Sequence, residues 1–129
     1  MANPFFLTLA EVIEIHEDQI KRYGGERGIR DIRLLESAIA QPSASFAGVV
    51  FHRDFFEMAA AYAFHIGKNH PFLDGNKRAA LVSALTFLEL NDISLLDPKE
   101  KLREAMLKMA DNQMTKKDFS ALLRELPKE

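Results

Sequence analysis

The chain has 129 residues, 47% hydrophobic and 28% charged, enough for one domain with a core of its own. It contains no cysteine, which excludes a disulfide framework, a thiol nucleophile and a cysteine-based zinc site together. Seventeen basic against nineteen acidic residues give a net charge of −2, which disfavours direct nucleic-acid binding because phosphate-backbone contacts need a basic excess. No apolar run approaches the roughly 18 residues of a membrane span. Met1 to Ala10 shows neither the basic start nor the cleavage site of a secretory leader. The expectation is a soluble, cytoplasmic protein without a membrane partner.

Ala and Leu outnumber the β-branched residues, and no alternating strand pattern is present, so the fold class expected is all-α. Thr8 and Glu11 have capping-box spacing and open a first helix. Leu9, Val12, Ile13, His16 and Ile20 fall on one face of it, and Tyr23-Gly24-Gly25 ends it. On that face His16 reads as a core histidine with its hydrogen bonds satisfied. Gly28 to Asp31 reads as a turn with Asp31 as the next cap. A short second helix then carries Leu34, Leu35, Ala38 and Ile39 and stops before Pro42. Residues 42–53 read as a loop in which Phe46 and Phe51 anchor to a core.

Two segments, 55–64 and 79–88, are apolar nearly all round, the pattern of buried helices. Asp97, Pro98 and Glu100 at N-cap, N1 and N3 predict the start of a fifth helix. Thr115 and Asp118 open a sixth, with Phe119, Leu122, Leu123 and Leu126 as its apolar face. The whole chain, residues 1–129, is therefore expected to form a single-domain bundle of about six helices.

The two buried helices are joined by the densest set of reactive side chains in the chain, Lys68 through Arg78. Gly75, Asn76, Lys77 and Arg78 open the second of them. Lys77 and Arg78 have the wrong sign for a helix N-terminus, which is itself positive. They make sense if an anion sits there, held by backbone N–H groups, the dipole and both cations. Asp74 beside an anion makes sense if Mg²⁺ lies between the two, although an Asp at a helix entry is also stabilising by itself. His70 is the residue able to take a proton from an attacking hydroxyl. Base, metal carboxylate and phosphate cradle within nine residues are the parts of a phosphoryl or nucleotidyl transferase. His52 and His65 receive no function from the sequence, and Arg22 and Arg53 are not distinguished from surface residues.

His70-Pro71-Phe72-Leu73-Asp74-Gly75-Asn76-Lys77-Arg78 resembles the signature of the Fic/Doc family. The general Fic pattern is H-P-F-x-(D/E)-G-N-G-R-x-x-R. Lys77 stands where that pattern has Gly, and Leu81 stands where it has a second Arg. Both departures match the death-on-curing (Doc) branch, H-x-F-x-(D/N)-(A/G)-N-K-R. The resemblance extends to His16 through Gly25 and to Gly28 through Ala38, and covers roughly residues 9 to 96.

The resemblance implies a six-helix bundle that is the toxin of a toxin–antitoxin pair. It implies His70 as general base, Asp74 as the Mg²⁺ carboxylate, and Gly75, Asn76, Lys77 and Arg78 as phosphate ligands. Doc-type toxins move the γ-phosphate of ATP to a threonine of elongation factor Tu; Fic enzymes move AMP to a protein hydroxyl. The Doc reaction is the expectation, with AMP transfer as the alternative and a non-catalytic phosphate-binding module as a second one. The inhibitory pattern (S/T)-x-x-x-E-(G/N) of some Fic proteins is absent, so restraint is expected from a separate antitoxin segment in an apolar groove. Phe46, Phe51 and the Phe5-Phe6 pair are candidates for that groove or for the core.

Overall fold

In the computed structural model, which describes residues 3–129, the first helix opens on the expected capping box. Thr8 Oγ1 accepts the Glu11 N–H at 3.1 Å and Glu11 Oε1 accepts the Thr8 N–H at 2.9 Å. Met1 and Ala2 of the expected domain lie outside the described residues. Helix α1 runs Leu9–Tyr23 and buries Val12, His16, Gln19 and Ile20. Helix α2, Ile32–Ala40, starts where Asp31 accepts the N–H groups of Arg33 and Leu34.

The two apolar segments become α3, Phe55–Asn69, and α4, Asn76–Leu90, which pack against each other. Helix α3 is the hub. It also touches α2, α5 (Lys101–Ala110) and α6 (Lys116–Glu125), while α1 lies on α4. Ala59, Ala60, Ala61 and Ala63 on α3, with Ala79, Ala80 and Ala84 on α4, are fully buried, and small side chains let the helices approach closely. Phe87 fills the core between the rings of Phe6, Phe55 and Tyr62. The hydroxyl of Tyr62 accepts the Leu7 N–H at 2.8 Å and so ties the N-terminal segment to the bundle. Burial pushes that phenol up to about 12. The architecture is the expected all-α bundle of six helices. No helix among the described residues is long and apolar enough to cross a membrane.

Three local expectations are corrected. Helix α5 does not begin at Asp97-Pro98. A turn intervenes, closed by the Glu100 N–H on the Asp97 carbonyl at 3.2 Å, with Glu100 in the left-handed region at φ 53°. Asp97 still caps the helix from a distance, each carboxylate oxygen accepting a first-turn N–H, from Lys101 and Leu102, at 2.8 Å. Residues 42–53 are not all loop. Ser45–Phe46 and Val49–Val50 form a small antiparallel hairpin, turned through Ala47 and Gly48, both at positive φ. Such a pair suits a two-residue hairpin turn. Finally, Phe46 and Phe51 are not core anchors; they are 75% and 58% exposed on and beside that hairpin.

Helix α6 carries the second expected capping box, at Thr115 and Asp118, and buries Phe119 and Leu123 against α3. Its Lys116 Nζ lies 3.0 Å from His52 Nε2 and 3.1 Å from His65 Nε2. Burial, then the Lys116 charge, lowers both imidazoles, His65 to about 4. In the unfolded chain each takes a proton near pH 6.5. The folded state is therefore favoured fully above about pH 6.5 and loses that advantage as pH falls toward 4. Urea unfolding is expected to show a loss of about 2 kcal/mol across this window, after discounting for solvent screening, and a smaller one in His65→Gln. The carboxylates with lowered values, Asp74 and Asp118, titrate below this window and do not confuse it.

Candidate active site

The loop between α3 and α4 is bound on both sides. Helix α3 ends at His70, which takes the left-handed conformation, φ 54° and ψ 52°, with its N–H still on the Ile66 carbonyl at 3.2 Å. Arg30 Nε donates to the His70 carbonyl at 2.7 Å and Arg30 Nη2 to the Asn69 carbonyl at 3.0 Å. Those carbonyls are the unpaired acceptors of a helix C-terminus, where a cation is favoured. The turn expected at 28–31 runs alongside the loop: Arg30 and Asp31 N–H donate to the Pro71 carbonyl, and Leu73 N–H to Gly28.

Inside the loop, Phe72 is fully buried and stacks on His16, centroids 3.8 Å apart and planes within 3°. His16 donates from Nε2 to the Asp74 carbonyl at 2.7 Å. The expectation of a satisfied core histidine holds, and the ring also fixes the loop. Asn76 is 4% exposed and turns inward. Its Oδ1 accepts the Phe72 N–H at 2.9 Å and its Nδ2 donates to the Phe72 carbonyl at 3.0 Å, which sets the orientation of the amide. The same Nδ2 lies 3.2 Å from His70 Nδ1. A neutral His70 accepts there and carries its proton on Nε2.

Asp74 is exposed, yet both carboxylate oxygens accept backbone donors, Gly75 N–H at 2.8 Å and Glu26 N–H at 3.0 Å. These bonds, followed by the charges of Arg78 and His16, hold its carboxyl below the usual range. The chain passes very close to it at Gly25, where an added Cβ would lie 2.7 Å from Asp74 Oδ2. Gly75, at φ 74°, is the N-cap of α4 and offers no side chain to it. The first-turn N–H groups of α4 thus face the loop without a side-chain cap. Arg78 Nη2 donates to the Gly24 carbonyl at 2.8 Å, at the end of α1, and the guanidinium lies over Tyr23. Lys77 is exposed and makes no hydrogen bond among the described residues.

A cavity of about 220 Å³ is lined by His70, Leu73, Asp74, Gly75, Asn76, Lys77 and Arg78. Every residue that the sequence singled out for chemistry therefore meets in one place. Asn76 lies there with its side-chain amide turned to His70 and Phe72, leaving its backbone N–H for the cavity. Arg30, Gly25 and Glu26 were not anticipated as parts of the site. They lie some forty to fifty positions away, and no spacing rule connects them to the motif. Lys77 and Arg78 also border a larger, apolar groove of about 690 Å³ between α1, α4 and α5, walled by Leu81, Leu85, Leu102 and Met106. None of Phe5, Phe6, Phe46 or Phe51 lines it.

An all-α bundle whose two buried helices present a histidine, a carboxylate and two cations around an uncapped helix N-terminus defines the class that the motif resembles. The family model described as Fic/DOC family matches residues 6–88, and the chain belongs to that family. Its relatives include the Toxin Doc of Mycolicibacterium smegmatis (strain ATCC 700084 / mc(2)155), 41% identical over 73 residues, 57% of this chain and 56% of that one. They also include the Protein kinase doc of Escherichia phage P1, 34% identical over 116 residues, 90% of each chain. The chain thus matches just over half the length of the first relative and nearly all of the second. A match of 116 residues necessarily runs past residue 96, so the likeness reaches further toward the C-terminus than the motifs alone suggested.

Proposed function

We propose that this chain is the toxin of a toxin–antitoxin pair and transfers the γ-phosphate of ATP to a threonine hydroxyl of a translation factor, elongation factor Tu. The observation that carries this reading is the convergence of His70, Asp74, Lys77, Arg78 and the bare N-terminus of α4 on one 220 Å³ cavity. Its volume suits the phosphate tail of a nucleotide rather than the whole molecule. Names of relatives as a toxin and as a protein kinase support the same reading. In this reading the protein acts in the cytoplasm, where its target works.

In this reading the N–H groups of Asn76, Lys77 and Arg78 and the Lys77 ammonium hold phosphate oxygens, while Gly75, whose own N–H is held by Asp74, lets the phosphate approach the backbone closely. Asp74 suits Mg²⁺: it is ionised, exposed, and keeps a lone pair on each oxygen after its backbone bonds. One carboxylate completed by phosphates and water is a common Mg²⁺ set, and the ion would supply positive charge to the phosphoryl oxygens. His70 takes the proton of the target hydroxyl. Nε2 is free to accept it only in the tautomer that carries the imidazole proton on Nδ1, so that proton moves from Nε2 to Nδ1 and the 3.2 Å contact from Asn76 Nδ2 is given up. Arg30 holds the backbone under His70 while this happens.

Lys77 lines both the small cavity and the apolar groove, so it stands between them. A nucleotide lying across that boundary, with its α-phosphate before His70, meets the lysine chain. Leu81 supplies apolar wall where the general Fic pattern has a second Arg. Both points favour phosphate over AMP transfer. The groove is the proposed seat of the antitoxin: an apolar segment bound there would lie directly beside Lys77 and Arg78.

Intact-mass measurement of elongation factor Tu after incubation with the protein, ATP and Mg²⁺ tests the reaction. A gain of one phosphate is expected, and a gain of one AMP would overturn the choice of product. Lys77→Gly is expected to slow phosphate transfer at least about tenfold and to yield some AMP adduct, by opening the boundary. Unchanged phosphate transfer in that variant would remove Lys77 from the argument.

A further inference from the structure

A second constellation lies away from the active site, where α6 meets α3 and the end of the hairpin. A cavity of about 400 Å³ there is lined in part by His52, Arg53, Glu57, Lys116, Lys117 and Ser120. Lys116 Nζ sits between the Nε2 atoms of His52 and His65, at 3.0 and 3.1 Å, and 5.7 Å above the Phe64 ring. His52 is 96% buried, since only 4% of it is exposed.

An ammonium has three donors and no acceptor; a neutral amine has two donors and one lone pair. Two imidazole nitrogens take two Lys116 N–H bonds. The remaining direction of the nitrogen is left for the cavity that Lys116 lines. Burial also favours the neutral amine, because it penalises the charged form. Both rings have lowered proton affinity, so they stand as neutral acceptors near pH 7. Desolvation makes the Lys116 amine the more available nucleophile, and the two neutral imidazoles beside it are placed to receive the proton that it sheds on reaction. The walls tell what kind of electrophile fits. Arg53 and Lys117 are cationic, and the one carboxylate, Glu57, is engaged by Arg53, accepting its N–H at 3.2 Å with Nε 3.9 Å away. A leaving group carrying negative charge is favoured there.

We propose that Lys116 is a site of Nε-acylation by small acyl phosphates, activated by His52 and His65. The amine lone pair attacks the acyl carbon, a C–N bond forms, the C–O bond to phosphate breaks, and inorganic phosphate leaves. The surplus amine proton passes to the Nε2 of His52 or His65 and then to water. The product amide keeps a single N–H where the amine had two, so one imidazole loses its donor. The modification thereby loosens the junction of α6 with α3 and the hairpin.

The test uses the full chain, folded, with acetyl phosphate near neutral pH, followed in time by fragment-resolved mass spectrometry. Lys116 is expected to acetylate roughly fivefold faster than its exposed neighbour Lys117, since burial lowers the proton affinity of its amine and so raises the free-amine fraction. The preference is expected to vanish in urea and to fall to the Lys117 level in His65→Gln. Equal or slower modification of Lys116 in the folded wild-type chain overturns the proposal without any variant. Persistence of the preference in urea overturns it too, because local sequence rather than the folded cluster would then be the cause.

Discussion

His70→Ala is expected to reduce group transfer by about 10²–10⁴-fold, the usual contribution of a positioned general base. The fold should survive. The His70 side chain is exposed, and its one side-chain hydrogen bond among the described residues is the 3.2 Å contact to Asn76. The backbone at this position is held from outside by Arg30, which does not depend on the imidazole. Mass measurement of the target and far-UV circular dichroism of the variant, taken together, separate chemistry from folding. Full transfer by a folded His70→Ala would rule out the base assignment and leave the phosphate cradle as a binding site only. Antitoxin binding should be unchanged, because the apolar groove is not lined by residue 70.

Phe72→Ala should have the largest effect on stability of any single change in the loop, about 3–5 kcal/mol. Its ring is fully buried, lies flat against His16, and is surrounded by the junction of α1 with the α3–α4 pair. Deleting it opens a cavity under the loop and releases His16, whose Nε2 holds the Asp74 carbonyl. Activity should then fall even below the unfolding transition, since the carboxylate and the start of α4 are both set by that strut. Urea titration gives the first quantity, and transfer assays on the folded fraction give the second. A cost below about 1 kcal/mol would mean that neighbouring side chains collapse into the space and that the ring is not what fixes the loop.

What the sequence made legible was local. The caps at Thr8, Asp31 and Thr115 bond backbone groups two or three residues away, so spacing alone reveals them. The buried pair α3 and α4 was equally plain, because a helix apolar on every face has no other place to go. Errors arose where a turn decides the outcome. Asp97 and Pro98 have the composition of a helix start, but Glu100 takes a left-handed conformation that delays α5 by a turn. The hairpin strands are two residues long, too short to show alternation, and Phe46 looked like a core residue because nothing local says it is exposed. The same division holds in the site. Motif order placed His70, Asp74 and the α4 cations together. The support from Arg30, Gly25 and Glu26 is a product of tertiary folding: Gly25 and Arg30 lie in stretches that share the family resemblance, but nothing local ties them to the motif.

The left-handed backbone of His70 sets catalysis against durability at a single codon. A residue with a Cβ is held there at a cost of about 1 kcal/mol, which glycine avoids and asparagine offsets in part by local hydrogen bonds of its short side chain. His70→Gly and His70→Asn should therefore be inactive and yet up to about 1 kcal/mol more resistant to unfolding than the parent chain. In a cell harmed by the active protein, such variants escape on both counts, being harmless and long-lived. Survivors of unrestrained expression should accordingly be enriched in soluble, abundant protein altered at this codon, alongside the truncations and aggregates by which most genes are silenced.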